Sequence, residues 1–252
     1  MSLTELIGFL ALTGAAAYAQ TLTGFAFGLI TMGGIGLTGL LSLPDAAMIV
    51  SVLTLINAAQ MLFRGWRDVA WREFGFVMAA SVPMLFAGYA LLQWLAGTRS
   101  DLLRLLLGVI IVISSLQLAR RPEPVAQRSG AASFLFFGGI AGLMGGLFST
   151  AGPPLVYHFY RQPITLETVR DTLLALFGIG SIVRLAMVVP TGQFTLNALV
   201  LTAFAVPVVM IVTWWLKHHP PAWRREVVLR IVCALLVATG IGLVAPALHA
   251  LF

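Results

Sequence analysis

Long apolar stretches separated by short polar connections run through the whole chain. We mark ten apolar segments, at 3–22, 24–43, 45–64, 73–96, 101–119, 131–149, 153–161, 167–189, 195–216 and 227–250. Most contain about 20 residues, which is the length an α-helix needs to cross the hydrocarbon core of a bilayer. The pattern therefore predicts an all-α polytopic membrane protein with about eight to ten membrane segments.

The composition points to the same class of protein. Of 252 residues, 60% are hydrophobic and only 10% are charged, whereas soluble domains carry about 25% charged residues. The formal net charge of +6 comes from basic residues in the short loops, where membrane orientation explains them better than a nucleic-acid partner does. We therefore expect a lipid bilayer as partner and no nucleic acid.

Two glycine-centred breaks interrupt the apolar segments, one in each half of the chain. The first runs from Gln20 to Gly28, and the second from Phe148 to Pro154. A broken helix leaves backbone N–H and C=O groups that lipid cannot satisfy, so such breaks persist only where protein or a cavity surrounds them. Matching breaks in two halves of one chain are typical of a transporter's binding site.

The two halves also resemble each other along their length. An offset of 124–128 positions aligns several residues in the same order, among them Gly24 with Gly152 and Pro83 with Pro207. Such an ordered set indicates an internal duplication. It divides one integrated membrane domain into a first repeat at 1–121, a cytoplasmic linker at 122–130 and a second repeat at 131–252.

The loop charges predict how the repeats are oriented. Basic loops occur at 64–72, 119–130, 161–170 and 217–225, and short loops rich in Lys and Arg stay in the cytoplasm. Corresponding segments then cross in opposite directions, which predicts two inverted repeats, each with a broken or re-entrant helical hairpin plus three transmembrane helices. Segment 153–161 would be about 13 Å long and cannot span, whereas the first broken stretch is long enough for two full spans.

The breaks have the chemistry of an anion site. A helix that begins at mid-membrane presents free N–H groups and a partial positive charge, glycine permits the turn, and proline suits the first helical position. The candidate substrate-binding residues at the breaks are Gln20, Thr21, Thr23, Gly24, Phe25, Ser149, Thr150, Gly152 and Pro153. The alternative is that the small residues only let helices pack closely.

Five further polar residues lie within or beside the apolar segments, and each has two interpretations. Arg184 could bind an anion through its guanidinium fork or extend to the membrane surface. Asn57 and Gln60 could donate to the anion or hydrogen-bond between helices. His158 and Asp171 could carry a coupling proton. Alternatively, His158 is a side chain at the membrane interface, and Asp171 caps the start of its helix.

The sequence contains no nucleotide-binding loop, metal-ligand cluster or nucleophile triad. We therefore expect no cofactor, no bound metal and no enzymatic activity. Transport would draw its energy from a gradient of an ion or of the substrate, or from a partner.

Three motifs carry a family resemblance. They are Thr-Gly-Phe-Ala-Phe-Gly at 23–28, the glycine-rich approach to Gly152-Pro153-Pro154, and the basic loop at 67–72. Together they resemble the sulfite exporter TauE/SafE family of the toluene-sulfonate uptake permease superfamily. The resemblance implies a secondary transporter of the bacterial inner membrane that moves sulfite, thiosulfate, sulfoacetate or another organosulfonate by alternating access.

The resemblance leaves several properties open. Protons are a candidate coupling ion, and the oligomeric state is not determined. The alternatives are a passive anion channel on the same scaffold, or a carrier for another small organic anion.

Overall fold

The fold consists of α-helices and two short 3₁₀ turns. The structure is a computed structural model that describes residues 2–119, 125–150, 153–192, 195–219 and 225–251. The 3₁₀ turns are Trp66–Asp68 and Val189–Thr191. The helices are α1 (Leu3–Thr23), α2 (Phe27–Thr38), α3 (Leu43–Gly65), α4 (Trp71–Thr98), α5 (Ser100–Ala119), α6 (Ala131–Phe148), α7 (Pro153–Tyr160), α8 (Leu166–Val188), α9 (Leu196–His218) and α10 (Arg225–Leu251).

Most of these helices are membrane-spanning by length and composition. Within the described residues, seven helices are long and apolar enough to cross a bilayer, namely α1, α3, α4, α5, α6, α8 and α9. The prediction of an all-α polytopic membrane protein is confirmed.

The first broken stretch is shorter than the sequence suggested. Helix α2 has 12 residues and is about 18 Å long, which is less than the roughly 30 Å core of a bilayer. It ends because Gly39 adopts a left-handed conformation with φ of +63°, and Ser42 then caps α3 by accepting a hydrogen bond from the Asp45 N–H. The sequence leaves two full spans open for this stretch, but α2 is too short for the second span, so each break is followed by a short helix.

The helices of the two halves pack into each other in matched pairs. Helix α1 packs against α9 while α6 packs against α4, and α2 packs against α10 while α7 packs against α5. The contacts of α3 with α8 and of α5 with α10 also join the halves. Each broken hairpin is thus held by the other half of the chain. The inversion of the repeats remains a prediction.

Small residues fix the position of α6 on α4. A Cβ atom added at Gly138 would lie 2.7 Å from the Val77 carbonyl oxygen, and added Cβ atoms at Gly142 and Gly146 would overlap the backbone of α4. Close backbone approach of this kind is a common way for membrane helices to associate. It places the C-terminal end of α6, where the second break begins, beside α4.

The basic loops gather at one end of the helical bundle. Lys217 Nζ donates to the Gln60 carbonyl at 2.9 Å, and the Val125 N–H donates to the Arg161 carbonyl at 2.8 Å. Arg128 pairs with Glu73 at 3.3 Å. The positive-inside rule predicts that this end faces the cytoplasm.

The two ends of α4 offer a direct test of this orientation. In a Cys233→Ala background, we predict that Asp68→Cys, in a basic loop, is labelled only from the cytoplasmic side of the membrane. Arg99→Cys, at the other end of α4, should be labelled only from the outside, since both positions are exposed. The measurement is labelling of intact cells with an impermeant maleimide, before and after permeabilisation. Labelling of both cysteines from the same side would contradict the orientation.

Candidate substrate-binding site between the helix breaks

Each break begins with the same kind of helix end. Helix α1 ends at Gly24 with φ of +81°, and the Gly24 N–H donates to the Gln20 carbonyl at 2.7 Å. Helix α6 ends at Ser149 with φ of +55°, and the Ser149 N–H donates to the Gly145 carbonyl at 2.9 Å. A left-handed conformation is unusual for a residue other than glycine, so packing must hold Ser149 in place.

The sequence predicted that glycine would form both turns. In the second half, the left-handed residue is Ser149, three positions before the predicted Gly152. Gly152 itself lies outside the described residues. In the first half, Ala26 adds a second left-handed turn with φ of +83° directly before α2.

The two breaks touch each other. A Cβ atom added at Gly28 would lie 3.1 Å from the Ser149 carbonyl oxygen and 3.1 Å from Thr150 Cβ. This close approach leaves little room for a side chain at Gly28. Ser149 Oγ also lies 2.7 Å from Ser51 Oγ of α3. The start of α2 and the end of α6 therefore form one site, although they lie far apart in the sequence.

A small cavity of about 30 Å³ lies between the breaks. That volume corresponds to about one water molecule, so a sulfonate could enter only if the surrounding helices moved. Among the residues that line the cavity are Gln20, Phe25, Thr54, Ser149, Thr150 and Pro153. Five of these were candidates from the sequence, whereas Thr54 was missed although it lies one helical turn before Asn57.

The groups around the cavity can donate hydrogen bonds. Thr150 Oγ1 is buried and has no partner in the described residues. Ala26 provides no side-chain cap for the first turn of α2, and free N–H groups at a helix start attract anions. Helix α7 begins with Pro153 and Pro154, which have no N–H group. The first half therefore contributes backbone donors and the second half contributes hydroxyl groups.

Asn57 lies outside the cavity and joins three helices. Its Oδ1 accepts a hydrogen bond from Gln20 Nε2 at 3.0 Å, and its Nδ2 donates to Thr21 at 3.0 Å and to Thr213 at 2.8 Å. These bonds use both hydrogens of the amide and connect α1, α3 and α9. The geometry thus favours the interhelical alternative for Asn57 and Thr21.

Gln60 lies outside the cavity, towards the end of the bundle where the basic loops gather. Its Oε1 is buried without a partner among the described residues, while its backbone carbonyl accepts the hydrogen bond from Lys217. The structure therefore does not bring Gln60 together with the residues at the breaks.

Thr23 and Gly24 close the first break on the side of the basic loops. The Tyr160 hydroxyl donates to the Thr23 carbonyl at 2.7 Å, and Thr23 Oγ1 donates to the Ala19 carbonyl at 2.7 Å. A Cβ atom added at Gly24 would lie 3.0 Å from Arg170 Cα. Neither Thr23 nor Gly24 lines the cavity. Both therefore belong to the barrier between the cavity and the basic loops.

Arg184 is buried rather than extended to the membrane surface. Its side chain is 1% exposed, and Nη1 donates to the carbonyls of Gly145 and Gly146 in the last turn of α6. The guanidinium also lies 5.6 Å from the centre of the Tyr89 ring. Arg184 lines a second cavity of about 30 Å³.

The two proton-coupling candidates are both held by neighbours. His158 stacks on Phe137, with ring centres 4.4 Å apart, and burial, together with the charge of Arg161, lowers the pKa of His158 to about 4. The ring is therefore neutral at pH 7. Asp171 is buried and pairs with Arg170 Nε at 2.8 Å, while Thr165, rather than Asp171, caps α8.

Comparisons with known proteins agree on one family. The family model described as sulfite exporter TauE/SafE matches residues 9–243. The chain is 36% identical over 248 residues to a protein of Cupriavidus necator named "Probable sulfite/organosulfonate exporter TauE", and the match covers 98% of this chain and 97% of the relative. No solved structure matches the chain significantly.

The hydrogen bonds of Asn57 predict a specific loss of stability. Asn57→Leu removes three interhelical bonds, and at roughly 0.6 kcal/mol for each bond within a membrane it should destabilise the fold by about 2 kcal/mol. The control is Gln60→Leu, whose parent side chain makes no hydrogen bond in the described residues. Thermal unfolding of the purified proteins should rank Asn57→Leu well below Gln60→Leu. Equal melting temperatures would show that the Asn57 bonds contribute nothing.

Proposed function

Because this chain belongs to the sulfite exporter TauE/SafE family, we propose that it carries a small sulfur-containing anion out of the bacterial cell. Membership confirms the resemblance noted in the sequence and identifies the chain as a multi-pass membrane transporter rather than an enzyme. The name of the Cupriavidus relative mentions sulfite and organosulfonates. Sulfite, thiosulfate, sulfoacetate and related organosulfonates are therefore the substrates to test.

The observation that supports this proposal most strongly is the meeting of the two breaks around one cavity. None of the described side chains that line the cavity carries a carboxylate, and Thr150 provides a buried hydroxyl without a partner among the described residues. The uncapped start of α2 adds backbone donors and a partial positive charge. These features favour a small anion whose oxygen atoms accept several hydrogen bonds.

The small volume of the cavity suggests a carrier rather than an open pore. Hydrogen bonds and packing at Thr23, Gly24 and Tyr160 separate it from the basic loops. On its other side, Ser149 bonds to Ser51 of α3. In the proposed cycle these two barriers open alternately, and the anion binds between them. A membrane potential that is negative inside favours outward movement of an anion, in agreement with export.

Transport by the purified protein tests the proposal. Proteoliposomes should be loaded with sulfite, thiosulfate, sulfoacetate, taurine or toluene sulfonate, with and without a proton gradient. A carrier predicts saturable flux and counterflow for at least one of these compounds, whereas a passive anion channel gives no counterflow. Stimulation by the proton gradient would support proton coupling. The absence of flux for every compound would contradict the proposed substrate class.

The unpartnered hydroxyl in the cavity generates a prediction about substrate affinity. Thr150→Val keeps the shape of the side chain but removes a hydrogen bond to the anion, so the KM should rise about tenfold. Thr31→Val is the matched control, because Thr31 Oγ1 is also buried without a partner in the described residues but does not line the cavity. Flux titrations should show a changed KM only for Thr150→Val. An unchanged KM in this variant would remove Thr150 from the binding site.

A further inference from the structure

Arg184 carries a buried charge that no acidic side chain balances. In the part of the chain that the structure describes, the ion pairs join Arg128 to Glu73 and Arg170 to Asp171, and none involves Arg184. Arg184 Nε is buried and makes no hydrogen bond in those residues. An arginine inside a membrane segment is costly unless it has a partner, and it usually marks a substrate pathway.

The end of α6 neutralises only part of this charge. Arg184 Nη1 binds the carbonyls of Gly145 and Gly146, at the end of α6 that carries roughly half a negative charge. About half of the positive charge therefore remains uncompensated. The Tyr89 ring at 5.6 Å adds a weaker cation–π attraction. A mobile anion could supply the missing negative charge.

The corresponding place in the first half contains no charge. Helices α3 and α8 can be aligned on their N-terminal caps, Ser42 and Thr165. In this alignment Arg184 corresponds to Met61, and Gly180 corresponds to Asn57. The sequence offset pairs Gly24 with Gly152. When the left-handed residues Gly24 and Ser149 are paired instead, Gln20 and Thr21 correspond to Gly145 and Gly146.

The two halves therefore cross-link the broken helix to its neighbours with different chemistry. Bonds between neutral side chains join α1 to α3 in the first half, where Asn57 binds Gln20 and Thr21. In the second half, glycines replace those side chains, and Arg184 binds the α6 backbone instead. A neutral cross-link would serve packing equally well, so the positive charge at Arg184 needs a separate explanation.

The cavity beside Arg184 adjoins the cavity between the breaks. Ser149 and Phe177 line both cavities, so an anion between the breaks lies one side chain away from the cavity of Arg184. Ser181 also lines the Arg184 cavity and precedes Arg184 by three residues, which places the two side chains on the same face of α8.

We propose that Arg184 and its cavity form a second binding station for the transported anion, beside the station between the breaks. This inference rests on the proposed function and extends it. The guanidinium exchanges its bonds to the α6 carbonyls for bonds to the oxygen atoms of a sulfite or sulfonate group, which suits its planar fork. Because both sets of bonds use the same donors, anion binding also releases the end of α6 next to Ser149. Passage of the anion is thereby coupled to movement of the second break.

A fixed carboxylate placed beside Arg184 tests the second station. Ser181→Asp provides a permanent counter-charge on the same face of α8, while Ser181→Asn has nearly the same size without the charge. We expect the KM for sulfite to be about tenfold higher in Ser181→Asp than in Ser181→Asn. Sulfite should raise the melting temperature of the purified Asn variant more than that of the Asp variant, in which only the station between the breaks still binds it. Equal KM values and equal stabilisation by sulfite would overturn the proposal.

A second pair of variants covers the case in which Ser181→Asp does not fold. Arg184→Lys keeps the charge, and Arg184→Met introduces the residue that stands at the corresponding position in α3. If Arg184 only caps α6, both variants lower the melting temperature and leave the KM unchanged, which overturns the proposal. If Arg184 binds the anion, Arg184→Lys retains more of the stabilisation by sulfite than Arg184→Met, in which only the station between the breaks is left.

The stabilisation measurement also separates this inference from the proposed function. Stabilisation of the wild-type protein by sulfite does not require transport. If sulfite stabilises the wild-type protein through Arg184 but the protein shows no flux, only the proposed carrier function is contradicted. If the wild-type protein transports sulfite, but neither the KM nor the stabilisation depends on the charge at positions 181 and 184, only the second station is contradicted.

Discussion

The need to satisfy backbone polar groups at membrane depth governs this structure. Two helices stop inside apolar stretches, at Gly24 and Ser149, and lipid cannot hydrogen-bond the groups that they expose. The protein meets this constraint by bringing the breaks together, with Gly28 against Ser149 and Thr150, and by surrounding them with helices from both halves. Thr150 Oγ1, which has no partner among the described residues, faces the cavity between the breaks, where an anion could bind it.

The halves solve the same packing problem in different ways. Asn57 joins the end of α1 to its neighbours through neutral hydrogen bonds, and Arg184 joins the end of α6 through a charge. The first half also offers backbone donors at α2, whereas Pro153 and Pro154 remove two of them from α7. The two halves thus differ chemically where the breaks meet, which is consistent with the proposed route for an anion between two unequal stations.

The sequence predicts much of the fold and part of the site. Long apolar segments and glycine-centred breaks determine the class of protein and the position of most helices, because length and hydropathy alone decide what can cross a membrane. The short α2 was not predicted, since Gly39 and Ser42 end and restart helices without changing the apolar character of 24–43. Likewise, the sequence does not mark Ser149 as a left-handed residue, because a residue other than glycine rarely adopts that conformation. The burial of Arg184 depends on its contacts with Gly145 and Gly146 of α6 and with Tyr89 of α4, which the pattern of a single helix cannot reveal.

The most direct test of the account is to locate the anion. Crystals of the wild-type protein soaked with selenite, a heavier analogue of sulfite, would reveal the position of selenium by anomalous scattering. The account predicts a selenium peak between Gly28 and Thr150, within hydrogen-bonding distance of Thr150 Oγ1. Selenium bound only at the surface loops, with the space between the breaks empty at saturating selenite, would contradict it.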